Sequence, residues 1–124
     1  MRTSTVLFLF IFVQLVGCKS ESTNIDSLKT GKYKTVLKDS DISSIAVRND
    51  SLQIELTEGI RDTFYINWKN DFEYILLKKN PKSLLDSTPF HVKITGIKNK
   101  EYTFKAYFKG SNFKQEGTAI KLEE

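Results

Sequence analysis

From Gly31 onward, apolar and polar residues alternate with a period of two, the spacing of a strand that is buried on one face. Tyr33, Thr35 and Leu37 alternate with Lys32, Lys34 and Lys38, and only Val36 breaks the polar set. Ile45 and Val47 mark a short second strand. Leu52, Ile54 and Leu56 alternate with Gln53, Glu55 and Thr57. Phe64, Ile66 and Trp68 carry the next run, and Phe72, Tyr74 and Leu76 the one after it. Phe90, Val92 and Ile94 follow, then Tyr102, Phe104, Ala106 and Phe108. A last strand runs from Gly117 through Ile120 and Leu122.

Turn residues separate these runs. Arg48-Asn49-Asp50-Ser51, Glu58-Gly59, Lys69-Asn70-Asp71, Asn99-Lys100 and Gly110-Ser111-Asn112 all read as short links. Asn, Asp and Gly tolerate the left-handed backbone that tight hairpins need. Short links require antiparallel neighbours. The expected fold is therefore all-β: an antiparallel meander of about eight strands, closed as an up-and-down barrel or a coiled sheet. A β-sandwich is the alternative. The expected core comprises Phe64, Ile66, Trp68, Phe72, Tyr74, Phe104 and Phe108.

Asn80 to Pro89 is the one long link, with a proline near each end and Leu84-Leu85 inside it. Apolar side chains in a loop have two uses. They fold back to plug a barrel end, or they form a lid or contact edge.

The segment before the strands has another pattern. Val6 to Val13 is uninterrupted apolar sequence behind Arg2, and Gln14 interrupts it before Leu15-Val16-Gly17-Cys18. A spanning helix needs about 20 apolar residues. This run is shorter and has the layout of an export signal. Lys19 to Lys29 is polar apart from Ile25 and Leu28 and cannot bury enough surface to fold alone. The chain thus divides into a signal over 1–17, a flexible tether over 18–30 and one β domain over 31–124.

Leu15-Val16-Gly17-Cys18 resembles the lipobox of bacterial lipoproteins. That resemblance implies cleavage before Cys18 and acylation of Cys18, with palmitate-type chains, in the cell envelope. Lys19 follows the cysteine where inner-membrane lipoproteins of the enteric type carry Asp, which implies the outer membrane, on its periplasmic or surface face. Gly31-Lys32-Tyr33 resembles the Gly-x-Trp that opens lipocalin-like barrels, with Tyr33 in place of Trp. The stretch from Phe64 to Leu77 is similar to small lipoproteins of the Bacteroidota, as are Gly117-Thr118-Ala119 and Lys121.

Composition narrows the chemistry. The net charge is +4, Lys far outnumbers Arg, and His91 and Cys18 are the only residues of their types. A Cys/His zinc set is excluded by this inventory, and the chain has no Gly-rich phosphate loop. Alternation from Phe90 and Val92 places His91 on the solvent face. Asp71 and Glu73 share a strand face with Asp62 across the hairpin, and such carboxylates most often sit solvated beside Lys or Arg. Neither an enzyme nor a cofactor is expected. The charge is too dilute for a nucleic-acid binder.

The remaining candidates are contacts. Trp68 is a core residue or a ligand-stacking ring. Lys93, Lys105, Tyr107 and Lys109 share an outward face that suits an envelope protein, an anionic glycan or a lipid. Leu84 and Leu85 form an edge. The expected function is a membrane-anchored, non-enzymatic binding or interaction module. The alternative is a lipocalin-like binder of a small apolar ligand, and a hollow interior would favour it.

Overall fold

The computed structural model describes residues 25–123. Eight strands follow one another in meander order: β1 (Gly31–Leu37), β2 (Ser43–Arg48), β3 (Leu52–Thr57), β4 (Ile60–Asn70), β5 (Glu73–Lys78), β6 (Phe90–Lys98), β7 (Glu101–Phe108) and β8 (Lys114–Glu123). Each pairs antiparallel with the next, and β1 pairs with β8, so the sheet closes into a barrel. The sandwich alternative is not realised. Closure removes the unpaired edges that an open sheet would expose.

The turns work as their residues dictate. Glu58 and Gly59 both have positive φ, at 49° and 80°, and link β3 to β4 in two residues. This mirror-image turn has the twist that adjacent strands need. Asn49 accepts the N–H groups of Ser51 and Leu52 at 2.9 and 2.8 Å. Asn70 accepts the N–H of Phe72 at 2.9 Å. On β8, a Cβ at Gly117 would come within 2.7 Å of the Phe104 ring and 2.8 Å of the Val36 carbonyl, so only Gly fits there.

The interior is filled toward one end. Tyr33, Tyr102, Tyr74, Ile66, Ile94 and Ala119 are buried there, and Tyr33 meets Tyr102 edge to face at 5.9 Å. A short 3₁₀ turn, Ile25–Lys29, lies across this end. Its Leu28 is 1% exposed and belongs to the core. Tyr33 donates its hydroxyl to the Thr30 carbonyl at 2.9 Å, Lys121 donates to the Ser27 carbonyl, and Lys29 pairs with Asp71 at 3.1 Å. Residues 25–29, expected in the tether, are therefore the plug of the barrel. The physical reason is that Leu28 needs no partner within its own segment; the barrel supplies one.

Several expected positions are corrected. On β2 and β3 the apolar sets face outward: Val47 pairs with Ile54 and Ile45 with Leu56 on the outer surface. Ala46, Arg48 and Gln53 are buried inside instead. Arg48, read as a turn residue, ends β2. Phe72 sits in the β4–β5 turn and is 48% exposed. Ile66, Tyr74 and Phe104 are core as expected. Phe64 and Trp68 are half-buried against the core, and Phe108 is half-buried against Phe90 at 4.8 Å. His91 does project outside the barrel, but it is buried there, stacked on Tyr107 at 5.1 Å.

Leu28→Ala is expected to cost about 2–5 kcal/mol, as for other fully buried leucines. Leu84→Ala, at an exposed loop position, should stay within about 0.5 kcal/mol of the parent. Denaturant melts of the two variants side by side check the role of the plug.

Candidate functional site

The end of the barrel opposite the plug is hollow. A cavity of about 220 Å³ enters between the β1–β2 loop and β8 and runs down to Arg48. Strand alternation gives it two unlike walls. Thr35, Ser44, Gln53, Glu55, Thr57 and Gln115 make the side from β1, β2, β3 and β8 mostly polar, with Leu37 and Ile42 among them. Leu76, Phe90, Val92 and Phe104 supply an apolar wall from β5, β6 and β7.

Arg48 forms the floor and ties it to the plug. Its Nε donates to Gln53 Oε1 at 2.9 Å and its Nη1 to the Leu28 carbonyl at 2.9 Å. Its Nη2 donates to the hydroxyls of Tyr74 at 3.1 Å and Tyr102 at 2.9 Å. Those two hydroxyls share a further hydrogen bond of 3.0 Å. The guanidinium carbon lies 4.6 Å from the Tyr33 ring centre and 4.8 Å from that of Tyr74. Burial opposes the Arg48 charge, but Tyr74, Tyr102 and Tyr33 outweigh it and hold the guanidinium above its ordinary pKa. Burial pushes the Tyr74 phenol well above its ordinary value, with Tyr102 adding to the rise. Tyr74 therefore meets Arg48 as a neutral dipole, and its ring face adds a cation–π contact.

A second charge lies higher in the cavity. Gln53 passes the network on by donating its Nε2 to Glu55 Oε1 at 2.8 Å. Burial pushes the Glu55 carboxyl above its ordinary 4.5, although Gln53 and the Arg48 charge pull it down; Asp62 pushes it further up. Ion pairs at the mouth join Lys78 to Asp62 at 3.4 Å and to Asp86 at 3.6 Å, and Lys38 to Glu116 at 3.4 Å.

The residues expected to matter are dispersed. Trp68 lies at the plugged end, 4.6 Å from Tyr74 and 5.6 Å from Lys29 Nζ, and does not line the cavity. Leu84 and Leu85 are 86% and 57% exposed near the open end, so they do not plug it. In that loop, between the prolines at 81 and 89, Asp86 accepts the Lys82 N–H and pairs with the Lys78 side chain. Lys93 and Lys105 pair directly on the outer face of β6 and β7. Glu116 bonds Lys105 at 3.6 Å, which dilutes the basic patch. Tyr107 stacks on His91, and Lys109 follows β7 in the turn. Cys18 lies outside the described residues. The carboxylates do not converge: Asp71 pairs with Lys29 and Asp62 with Lys78, at opposite ends of β4. Among the described residues no cluster of His, Asp and Glu is arranged to hold a metal ion.

Of the residues that build the cavity, Gln53, Glu55 and Thr57 read as the polar, outward set of β3 and Arg48 as a turn residue, whereas Thr35, Leu76, Phe90, Val92 and Phe104 fall in the inward sets. The signal that points to them is Arg48 itself, an arginine in a Lys-rich chain directly before the Asn49 turn. Comparison with protein-family models, curated proteins and solved structures finds no match to this chain.

Two outcomes check this geometry. Below about pH 4.5, the ordinary Glu55 value, folded and unfolded chains both hold the proton and its contribution is at its maximum. As pH rises toward the elevated folded value, the unfolded chain deprotonates first and stability falls. Glu55→Gln should abolish that decline, so that its thermal midpoints in acid and at neutral pH draw together. Leu84→Ser with Leu85→Ser should leave the melting midpoint unchanged, because neither side chain is buried; a drop of several degrees would restore the plug.

Proposed function

We propose that the chain is a non-enzymatic lipoprotein of the bacterial outer membrane whose barrel binds a small amphipathic molecule at its open end. The observation that carries this reading is the cavity with one polar and one apolar wall above the Arg48 floor. Such lining suits a ligand with a flat apolar face and a hydrogen-bonding edge rather than a purely apolar one. Its volume is below the range of about 300–1,000 Å³ common for drug-sized ligands, so the ligand is small or leaves part of itself outside. The Leu15-Val16-Gly17-Cys18 motif supports the anchor, with Cys18 as the acylated residue.

The plugged end and the open end suit different tasks. The plug lies next to the segment that leads back to Cys18, so the mouth faces away from the point of attachment. Leu84, Leu85 and Phe113 in the links and Ile60 at the start of β4 are exposed at this same end of the barrel.

The test is a titration with 2-naphthol followed by amide chemical shifts. Saturable shifts at Thr35, Ser44, Gln53 and Phe104 are expected. Naphthalene, which lacks the hydroxyl, should bind more weakly. Ser44→Trp fills the cavity and should remove binding without lowering the melting midpoint. Shifts confined to the loop residues, or none, would refute the cavity as the site. Mass spectrometry of the mature N terminus reads the anchor separately.

A further inference from the structure

We infer that the outer flank formed by β2, β3 and β4, with Leu77 of β5, lies against a bilayer containing anionic lipid. Cross-strand register puts apolar residues in contiguous rows there. Val47 pairs with Ile54, Ile45 with Leu56, and Leu52 with Tyr65, which pairs in turn with Leu77. Val47, Leu56 and Tyr65 are 46, 47 and 49% exposed, so nothing in the described chain covers the centre of the flank.

Cations bracket those rows. Lys32 pairs with Val47 and Lys34 with Ile45 on the β1 side. Arg61 pairs with Leu56 on the β4 side, and the Lys79 N–H bonds the Thr63 carbonyl beyond Ile54. The acids beside these rows, Asp39, Asp41, Asp50 and Glu58, lie in the links at the strand ends rather than within the strands. The opposite flank, where Lys93 pairs with Lys105 and Thr95 bonds Thr103, has no such apolar rows.

Shape and charge together select the occupant. The outside of a barrel is convex and offers no groove to a peptide, and a closed barrel has no free edge to extend with a strand. A fluid surface conforms to a convex face. An apolar centre with cations around it, and a tyrosine among them, matches the interface between acyl chains and anionic headgroups. The nearness of the bilayer rests on the Cys18 anchor; the orientation of the barrel against it rests on the flank.

The test uses the full mature protein, reconstituted into vesicles of phosphatidylglycerol and phosphatidylcholine. Nitroxide labels go on Val47→Cys, Leu56→Cys and, as control, Lys105→Cys. At Val47 and Leu56, broadening by oxygen dissolved in the bilayer should exceed that by an aqueous nickel chelate, and at Lys105 the order should reverse. Phosphatidylcholine alone, or Lys34→Glu with Arg61→Glu, should shrink the difference. Aqueous behaviour at all three positions overturns the inference. Dipolar broadening between Val47 labels overturns it too, by placing a second copy on the flank. Label uptake by Cys18 in the unsubstituted chain would count against the anchor alone, since the difference spectrum at Val47 still reads the flank.

Discussion

The burial of one guanidinium is the constraint on which the rest of this barrel depends. A lone buried cation costs several kcal/mol of lost hydration even after relaxation. Here Arg48 recovers it from Gln53, the Leu28 carbonyl, two tyrosine hydroxyls and the faces of Tyr33 and Tyr74. Those partners come from the plug and from four different strands. A shift of β2 by one residue would turn Arg48 out to solvent and leave every one of them without its donor. The guanidinium therefore specifies register as much as it contributes stability, and its planar fork is what lets one side chain reach so many acceptors.

Much of the architecture was legible in the sequence. Period-two alternation marked nearly every strand, β8 excepted, and Asn, Asp and Gly marked most of the turns. Alternation says that a strand has two unlike faces; it does not say which one is inside. On β4 to β7 the apolar face is inside, as hydrophobicity alone suggests. On β2 and β3 the preference inverts, because Arg48 and Gln53 have partners waiting in the barrel and the two-residue Glu58–Gly59 turn carries that register into β4. The cavity was hidden for the same reason. The β3 part of its polar wall, Gln53, Glu55 and Thr57, consists of residues that a solvent-face reading discards.

The plug was missed through a different effect. Ile25–Lys29 has no periodicity and little apolar content, and its order comes from Leu28, the Ser27 and Leu28 carbonyls and Lys29 meeting groups far along the chain. Contacts of that range leave no local trace. Leu84-Leu85 misled in the opposite direction, since a pair of leucines in a loop suggested burial and both side chains are exposed. Inside and outside are thus mixed in this protein. Charge is taken into the barrel, and branched aliphatic side chains are left on one flank.

Closure by β1 and β8 has a temporal consequence. β1 obtains one of its two neighbours only from β8, the last strand of the barrel, where Leu37 meets Gly117 and Lys34 meets Ile120. Until β8 has emerged, every intermediate is an open sheet without its final partner. Joining the two ends also has the largest loop-closure entropy cost of any strand pairing in the domain. A chain synthesised from its N terminus is thus held short of the closed barrel until β8 has been made.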